Sequence, residues 1–411
     1  MSGVKRNLEQ KINRLLTLFP VVMLIGARQT GKTTLSKMLR PDWKYIDLEN
    51  ASDFDFITRD YDFFFSEYPQ HLIIDEAQED PALFRHLRGV VDADRNNKGR
   101  FILTGSSSPD LLEQASETLA GRIAIVEIGT LKMNEIAEQP LPSFYELFQQ
   151  PITDDSIQQL KQLTPAVEDT LPYFLKGGYP EPVQSDDNFG YNVWMENYYQ
   201  TYINRDVRRL FPRLDSIRYR RFINTLASLS GTIINKAQLG RSIDVSETTI
   251  RDYLEIADKT HVWRTIPSYE NNKSKSALKM PKGILRDSGF THYLAGIDTR
   301  EAMLRSPQVG HNFESFVIEE IIKGIQATEV TRWDYYYFRT KNGAEVDLVL
   351  EGKFGLLPIE IKFGHQTKVK LLTSLQQFVK LHELPLGIVI NNSNDVKMLT
   401  ESIIQIPAGC L

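Results

Sequence analysis

Four short apolar runs, Val21–Ile25, Leu72–Ile74, Phe101–Leu103 and Ile123–Val126, punctuate the first 130 residues. Each is bounded by polar residues or glycine and lacks polar alternation, which predicts buried strands of a parallel sheet. Lys32–Leu39 follows the first run with helical spacing, and residues 109–120, opened by Pro109-Asp110, read as another helix. Pro140 and Pro142 then mark a break. Residues 143–215 read as helical, interrupted at Gly177-Gly178-Tyr179-Pro180-Glu181-Pro182, with an aromatic helix running from Trp194 through Tyr198, Tyr199 and Tyr202. Residues 219–265 resemble a helix-turn-helix: Asn235 to Arg241, a turn at Ile243-Asp244-Val245, and a second helix capped by Ser246 and ending near Ala257. The last hundred residues give an αβββαβ order. A long amphipathic helix starts at His311, strands cover 335–338, 344–350 and 357–363, a helix covers 368–382, and a buried strand covers 386–390.

These patterns predict an α/β protein of four parts. They are a P-loop (RecA/AAA+-like) parallel-sheet domain over 1–140, a helical lid or linker over 141–215, a winged helix-turn-helix over 216–300, and a restriction-endonuclease-like αβββαβ domain over 301–411. At 411 residues the chain is too long for one core, which agrees. A hydrophobic fraction of 41% with 25% charged residues is that of ordinary globular protein. No apolar run reaches membrane-spanning length, and the N-terminus, with Lys5, Arg6, Glu9 and Lys11, lacks an apolar signal core. The single Cys410 excludes an internal disulfide or a cysteine metal cluster, and a cytoplasmic location is expected. A net charge of −5 argues against wholesale coating of nucleic acid.

Between the first strand and helix lies Gly26-Ala27-Arg28-Gln29-Thr30-Gly31-Lys32-Thr33, followed by Thr34. Two glycines let consecutive backbone N–H groups curl around one anion, and the helix N-terminus adds its positive dipole end. Lys32 reaches the β- and γ-phosphates and Thr33 ligates Mg²⁺ in such a loop. A nucleoside triphosphate, ATP, with Mg²⁺ is the expected ligand. The strand ending in Asp75-Glu76 fits the partner motif: Asp75 holds the Mg²⁺ through water and Glu76 polarises the attacking water. Thr104, at the end of the next strand, is the candidate γ-phosphate sensor, with a plain helix cap as the alternative. Gly121-Arg122 sits where the helix over 109–120 meets the strand Ile123–Val126. Arg122 is either an arginine finger reaching the nucleotide of a neighbouring subunit, which requires a homo-oligomer such as a hexameric ring, or a surface arginine after a Gly cap.

Three charge patterns bear on partners. Arg205, Arg208, Arg209, Arg213, Arg218, Arg220 and Arg221 crowd a short stretch with only Asp206 and Asp215 against them. They either track nucleic-acid phosphates, place one arginine on the ATP as a second sensor, or form a solvated face. The second helix of the helix-turn-helix carries Glu247, Asp252, Glu255 and Asp258 against Arg251, which phosphates would repel. In the hairpin that follows, Lys273, Lys275, Lys279 and Lys282 are the DNA-contact candidates, without sequence specificity.

Near the C-terminus, Asp347 on one strand and Glu360-Ile361-Lys362 on the next reproduce the PD-(D/E)xK arrangement. Glu360 and Lys362 share a strand face. Two carboxylates there would hold a second Mg²⁺ or Mn²⁺, Lys362 would orient the activated water, and Glu314 would bind a metal-ligated water, with Gln376 or Gln377 assisting. The alternative is a scaffold in which Asp347, Glu360 and Lys362 form an ion-pair network.

With these motifs in place the whole chain resembles the bacterial and archaeal family that joins an AAA domain of the AAA_14 type to a C-terminal DUF4143 domain. The residues carrying the likeness are Gly26 to Thr34, Leu72 to Gln78, Leu119 to Arg122, Gly177 to Glu181, Tyr202 to Val207, Lys282 to Asp287, Asn312 to Val317, and Tyr337 through Asp347 to Lys362. The resemblance implies an ATPase, and the Arg205-Asp206 pair within its Tyr202 to Val207 segment implies that Arg205 faces the nucleotide or a neighbouring subunit. Two functions are expected from the chain: an oligomeric Mg²⁺-dependent ATPase that remodels duplex or branched DNA, with metal-dependent nuclease activity as an open addition, or an ATP-driven switch or defence regulator whose C-terminal domain is a binding scaffold.

Overall fold

The computed structural model describes residues 3–106, 115, 117–185, 187–208, 211–212, 214–270, 279–340 and 342–411, without the side chains of 204–206. It divides into two compact units, one of residues 1–130 with 259–261 and one of 131–258 with 262–411.

The first unit is built on five strands: β1 (Val21–Gly26), β2 (Lys44–Asp47), β3 (Leu72–Asp75), β4 (Phe101–Ser106) and β5 (Ile123–Glu127). All are parallel, in the order β2-β3-β4-β1-β5. Every residue of β1 and β3 is buried, as expected of central strands covered on both faces. Register does the functional work: Leu24 lies opposite Thr104 and Asp47 opposite Asp75, so the C-terminal ends of β1, β3 and β4 open on one edge. Helix α1 (Glu9–Leu16) precedes the sheet and α2 (Lys32–Leu39) leaves β1 through the glycine-rich loop. Most of the helix expected over 109–120 lies outside the described residues.

The second unit holds two cores. In one, α3 (Ser216–Leu229), β6 (Thr232–Ile233), α4 (Lys236–Ile243), α5 (Glu247–Lys259), β7 (Trp263–Ile266) and β8 (Lys282–Leu285) follow in sequence, the strands forming an antiparallel sheet of order β6-β8-β7. The turn between α4 and α5 is local chemistry. Asp244 takes the left-handed conformation, the Val245 amide donates to Gly240 O at 2.9 Å, and Ser246 Oγ caps the Thr249 amide at 3.1 Å. Glu247, Asp252, Glu255 and Asp258 are exposed on α5, so the acidic face read from the sequence is a real surface.

The other core is a six-stranded sheet of order β13-β14-β12-β11-β10-β9. Helix α6 (Val309–Ala327) precedes β9 (Asp334–Arg339), β10 (Glu345–Gly352) and β11 (Gly355–Lys362), which pair antiparallel. Helix α7 (Thr373–Leu381) leads to β12 (Gly387–Asn391), which runs parallel to β11, and β13 (Lys397–Met398) and β14 (Ile403–Pro407) extend the expected αβββαβ order. Two features depart from the sequence reading. Phe144, Tyr145, Leu147, Phe148 and Phe174, expected in a helical lid, pack into the core of this sheet, whereas Tyr191 to Val207 join the other core. Helix α6, expected to be amphipathic, is buried on most of its circumference. Its glutamates survive burial because each meets a cation. Glu319 pairs with Arg264, and Glu320 pairs with Lys132 at 3.0 Å and Lys323 at 2.8 Å.

Candidate functional site

The glycine-rich loop turns β1 into α2 through three unusual backbone positions. Gly26 runs so close to the next segment that a Cβ there would lie 2.2 Å from Ile128 O. Gln29 and Gly31 have φ of 63° and 88°, the second at the N-cap of α2. Lys32 is buried and its ammonium donates to Gly26 O at 3.2 Å and Ala27 O at 2.8 Å, folding back along the loop where phosphate oxygens would approach. Thr30 Oγ1 donates to Ala27 O at 2.9 Å. Arg28 pairs with Glu49 at 3.0 Å.

Asp75 gathers three hydroxyls. Thr33 Oγ1 lies 2.8 and 3.0 Å from its two oxygens, Tyr45 OH donates to Oδ2 at 2.7 Å, and Thr104 Oγ1 donates to Oδ1. Burial, reinforced by the Asp75 hydrogen bond, pushes the Tyr45 phenol far above its usual range, so it stays a donor. Thr104 also accepts from the Glu76 amide at 3.3 Å, linking the sensor candidate to the residue after Asp75. Glu76 itself adopts φ 54°, ψ 47°, a conformation that non-glycine residues hold at a cost of about 1–3 kcal/mol and that clusters at functional sites. Gln78 donates its amide to the Glu76 carboxylate. A hydroxyl beside a carboxylate, all oxygen, suits Mg²⁺. Thr33 and Asp75 would hold it through their oxygens.

The structure therefore brings together Gly26 to Thr34, Asp75, Glu76 and Thr104 as read from the sequence. Arg122 follows Gly121, whose φ is 72°, and its guanidinium clasps Asp92 through two nitrogens, at 2.6 and 3.0 Å, while Nη1 donates to Ala120 O at 2.8 Å. Within one chain this is a surface ion pair.

Two contributors went unread. The buried guanidinium of Arg6 donates to Thr30 O and Gly129 O, both at 2.8 Å, bracing the loop. Tyr45 is the second. No local signal marks Arg6, since a basic residue near an N-terminus is ordinarily solvated. Tyr45 lies within β2, a strand of four residues too short for its alternation to be read.

Of the lysine contacts proposed for DNA, Lys273 and Lys275 lie outside the described residues, as does the side chain of Arg205. Lys279 pairs with Glu270. Lys282 is a correction: it is 1% exposed and cannot touch a nucleic acid. Its ammonium is hydrogen-bonded to Glu314, 2.9 Å from Glu345 Oε1 and 3.9 Å from Asp347 Oδ1. Burial disfavours its charge, but Glu314, Asp347 and Glu345 outweigh that and hold it protonated above the usual lysine range.

Asp347, Glu360, Lys362 and Glu314 do converge. Lys362 Nζ is 2.6 Å from Glu360 Oε1 and 3.8 Å from Asp347 Oδ2, and Asp347 Oδ2 accepts the Ile361 amide at 2.7 Å. Burial, then the Asp347 charge, raises the Glu360 carboxyl to about 8, and the same two causes raise that of Glu314. The sequence reading of a shared divalent cation did not foresee a lysine from another element at the centre. Among the described residues no group of three or more His, Cys, Asp or Glu is arranged to hold a metal ion. Nor is any described helix long and apolar enough to cross a membrane.

Residues 18–137 match the family model of an AAA domain (AAA_14), residues 309–411 that of a domain of unknown function (DUF4143), and residues 167–301 that of a second domain of unknown function (DUF8612). Among curated proteins, the uncharacterized proteins Rv2008c of Mycobacterium tuberculosis and Mb2031c of Mycobacterium bovis are each 33% identical over 352 residues, spanning 84% of this chain and 71% of theirs. Among solved structures, the Walker-type ATPase PABY2304 of Pyrococcus abyssi has a TM-score of 0.40 at 14% identity, covering 70% of this chain and 94% of its own. The Thermotoga maritima RuvB Holliday junction branch migration motor has a TM-score of 0.30 at 15% identity, covering 67% and 94%. The Aeropyrum pernix ORC1 protein, solved with DNA, has 0.29 at 10%, covering 70% and 91%.

Proposed function

The chain belongs to the family that joins an AAA_14-type AAA domain to a DUF4143 domain, and on that premise we propose that it is a Mg²⁺-dependent ATPase that couples hydrolysis to remodelling of duplex or branched DNA. The observation that carries the ATPase reading is the convergence of Thr33, Thr104 and Asp75 beside Glu76 at the open edge of the sheet. Bound Mg²⁺ would neutralise phosphate charge and polarise the γ-phosphoryl group. Around it, Lys32 exchanges its loop carbonyls for β- and γ-phosphate oxygens. The loop amides and the α2 N-terminus hold the rest of the polyphosphate. Glu76, held by Gln78, orients the attacking water and draws its proton. Thr104 touches both the Asp75 carboxylate and the Glu76 amide, so it can report the γ-phosphate to both. In an oligomer, Arg122 would leave Asp92 for the nucleotide of the adjacent subunit and stabilise charge in the transition state.

For DNA, the support is the exposed arginine set Arg208, Arg218 and Arg221, the last two on the first helix of a three-helix, three-strand module whose order is that of a winged helix. Contacts of this kind bind phosphates without reading bases. The second reading, a switch that acts on a protein, is favoured by the acidic exposed face of α5, which a duplex would repel. The deciding experiment is the ATPase rate of the full chain against single strands, duplexes, forks and four-way junctions. A DNA-remodelling ATPase is stimulated several-fold by at least one of them, and a rate indifferent to all four would overturn the DNA half of the proposal.

A further inference from the structure

Lys282 enters the carboxylate cluster from β8, in the segment matched to one domain of unknown function, whereas Glu314, Glu345 and Asp347 belong to the segment matched to the other. In the restriction-endonuclease-like layout that the αβββαβ order suggests, these carboxylates would be the seat of a divalent cation. The residues present do not fit one. The buried ammonium already lies within ion-pair reach of all three carboxylates. The second oxygen of Asp347 is taken by the Ile361 amide and faces Lys362. Arg339 adds a further cation 3.6 Å from Glu345 Oε2. Against the carboxylates of Glu314, Glu345, Asp347 and Glu360 stand Lys282, Lys362 and Arg339, which leaves at most one surplus negative charge for a doubly charged ion. A divalent cation there would also be pressed against a desolvated ammonium, where repulsion is screened least.

We propose that Lys282 is the resident cation of this site, standing where a metal ion would stand, so that the two segments share one metal-free charged core that does not cleave phosphodiesters. The ammonium does what a structural metal does elsewhere: it compensates carboxylates that could not otherwise be buried together. A metal could recruit Glu360 Oε2, which is buried and has no hydrogen-bond partner among the described residues, once the ammonium is gone. None of these residues lies in the glycine-rich loop, so the inference stands or falls apart from the ATPase reading.

Mn²⁺ binding to the nucleotide-free full chain, followed by the paramagnetic resonance signal of free Mn²⁺, tests it. Native protein and Asp347→Asn should bind the same amount, Lys282→Met should gain about one Mn²⁺ per chain, and Lys282→Met/Asp347→Asn should lose that gain. An Asp347-dependent Mn²⁺ site in the native protein would overturn the proposal, and so would a folded Lys282→Met that gains none. If Lys282→Met does not fold, Lys282→Met/Glu314→Gln removes one charge of each sign and takes its place. Its unfolding midpoint should rise with added Mn²⁺ while the native midpoint stays fixed, and a midpoint indifferent to Mn²⁺ counts against the inference.

Discussion

Arg6 and Thr30 are joined by a hydrogen bond of 2.8 Å from guanidinium Nη1 to carbonyl oxygen, and a second arm of the same side chain holds Gly129 O. The guanidinium thus ties the loop, through a carbonyl rather than an amide, to the segment after β5. An anion cradle works by having its amides aimed before the ligand arrives, so a brace of this kind is worth affinity rather than turnover. Arg6→Ala should weaken ATP binding about tenfold, or ~1.4 kcal/mol, close to the low end of the ~1.5–3 kcal/mol that a hydrogen bond from a charged group contributes. Titration with a fluorescent ATP analogue measures it; unchanged affinity would show that the loop holds its shape without the brace.

Lys32 and Glu76 should separate binding from chemistry. Lys32→Ala removes ground-state charge neutralisation and should abolish detectable binding. Glu76→Gln leaves the loop intact and should bind ATP normally while hydrolysing about 10²–10⁴-fold more slowly, the usual contribution of a positioned acid–base group. Hydrolysis by Glu76→Gln at the native rate would refute the role given to this residue.

Arg122 is held by Asp92 within one chain, so any role in a neighbouring site requires release of that pair. Arg122→Ala should bind ATP and assemble like the native protein but hydrolyse slowly. Mixed with Lys32→Ala, it should regain activity, because some interfaces then join a working loop to a working arginine. Mixed assemblies that form without any recovery would assign Arg122 to the surface pair alone.

His292 predicts a pH dependence. It is buried, its Nδ1 is 3.1 Å from Leu175 O, and burial lowers its pKa to about 4 from the ordinary 6.5. Because the folded value lies below the unfolded one, the unfolded chain takes up the proton first as pH falls. Stability is therefore unaffected above pH 6.5 and is lost between about 6.5 and 4, by roughly 2 kcal/mol on going from pH 7 to 5. Denaturant unfolding at the two pH values, compared for the native protein and His292→Gln, checks this. An equal pH loss in both would place the titration elsewhere.

The glycine-rich loop, the Asp75-Glu76 strand end, Thr104 and the αβββαβ order were all legible in the sequence, and for one reason. Each is a local pattern, in which backbone curvature, strand length and the residue at a strand end are set within a few neighbouring positions. The turn at Asp244, with its cap at Ser246, was legible on the same ground.

What contiguous pattern could not carry was the fate of charged residues. Lys282 reads from its neighbours as one of four hairpin lysines free to touch DNA, Glu314 as a residue that binds a metal-ligated water, and the helix that carries Glu314, Glu319 and Glu320 as amphipathic. Tertiary structure buries all of them: β8, β10 and α6 bring Lys282 and its carboxylates within reach of one another, Arg264 on β7 meets Glu319, and Lys132 meets Glu320. Arg6 is the same case, an ordinary N-terminal arginine until folding places it against Thr30 O. The chain alone determined where phosphate chemistry is possible, since that depends on local backbone amides and strand ends. Only the fold decided which cation answers which carboxylate, since a charge is buried or exposed according to partners that are distant in sequence.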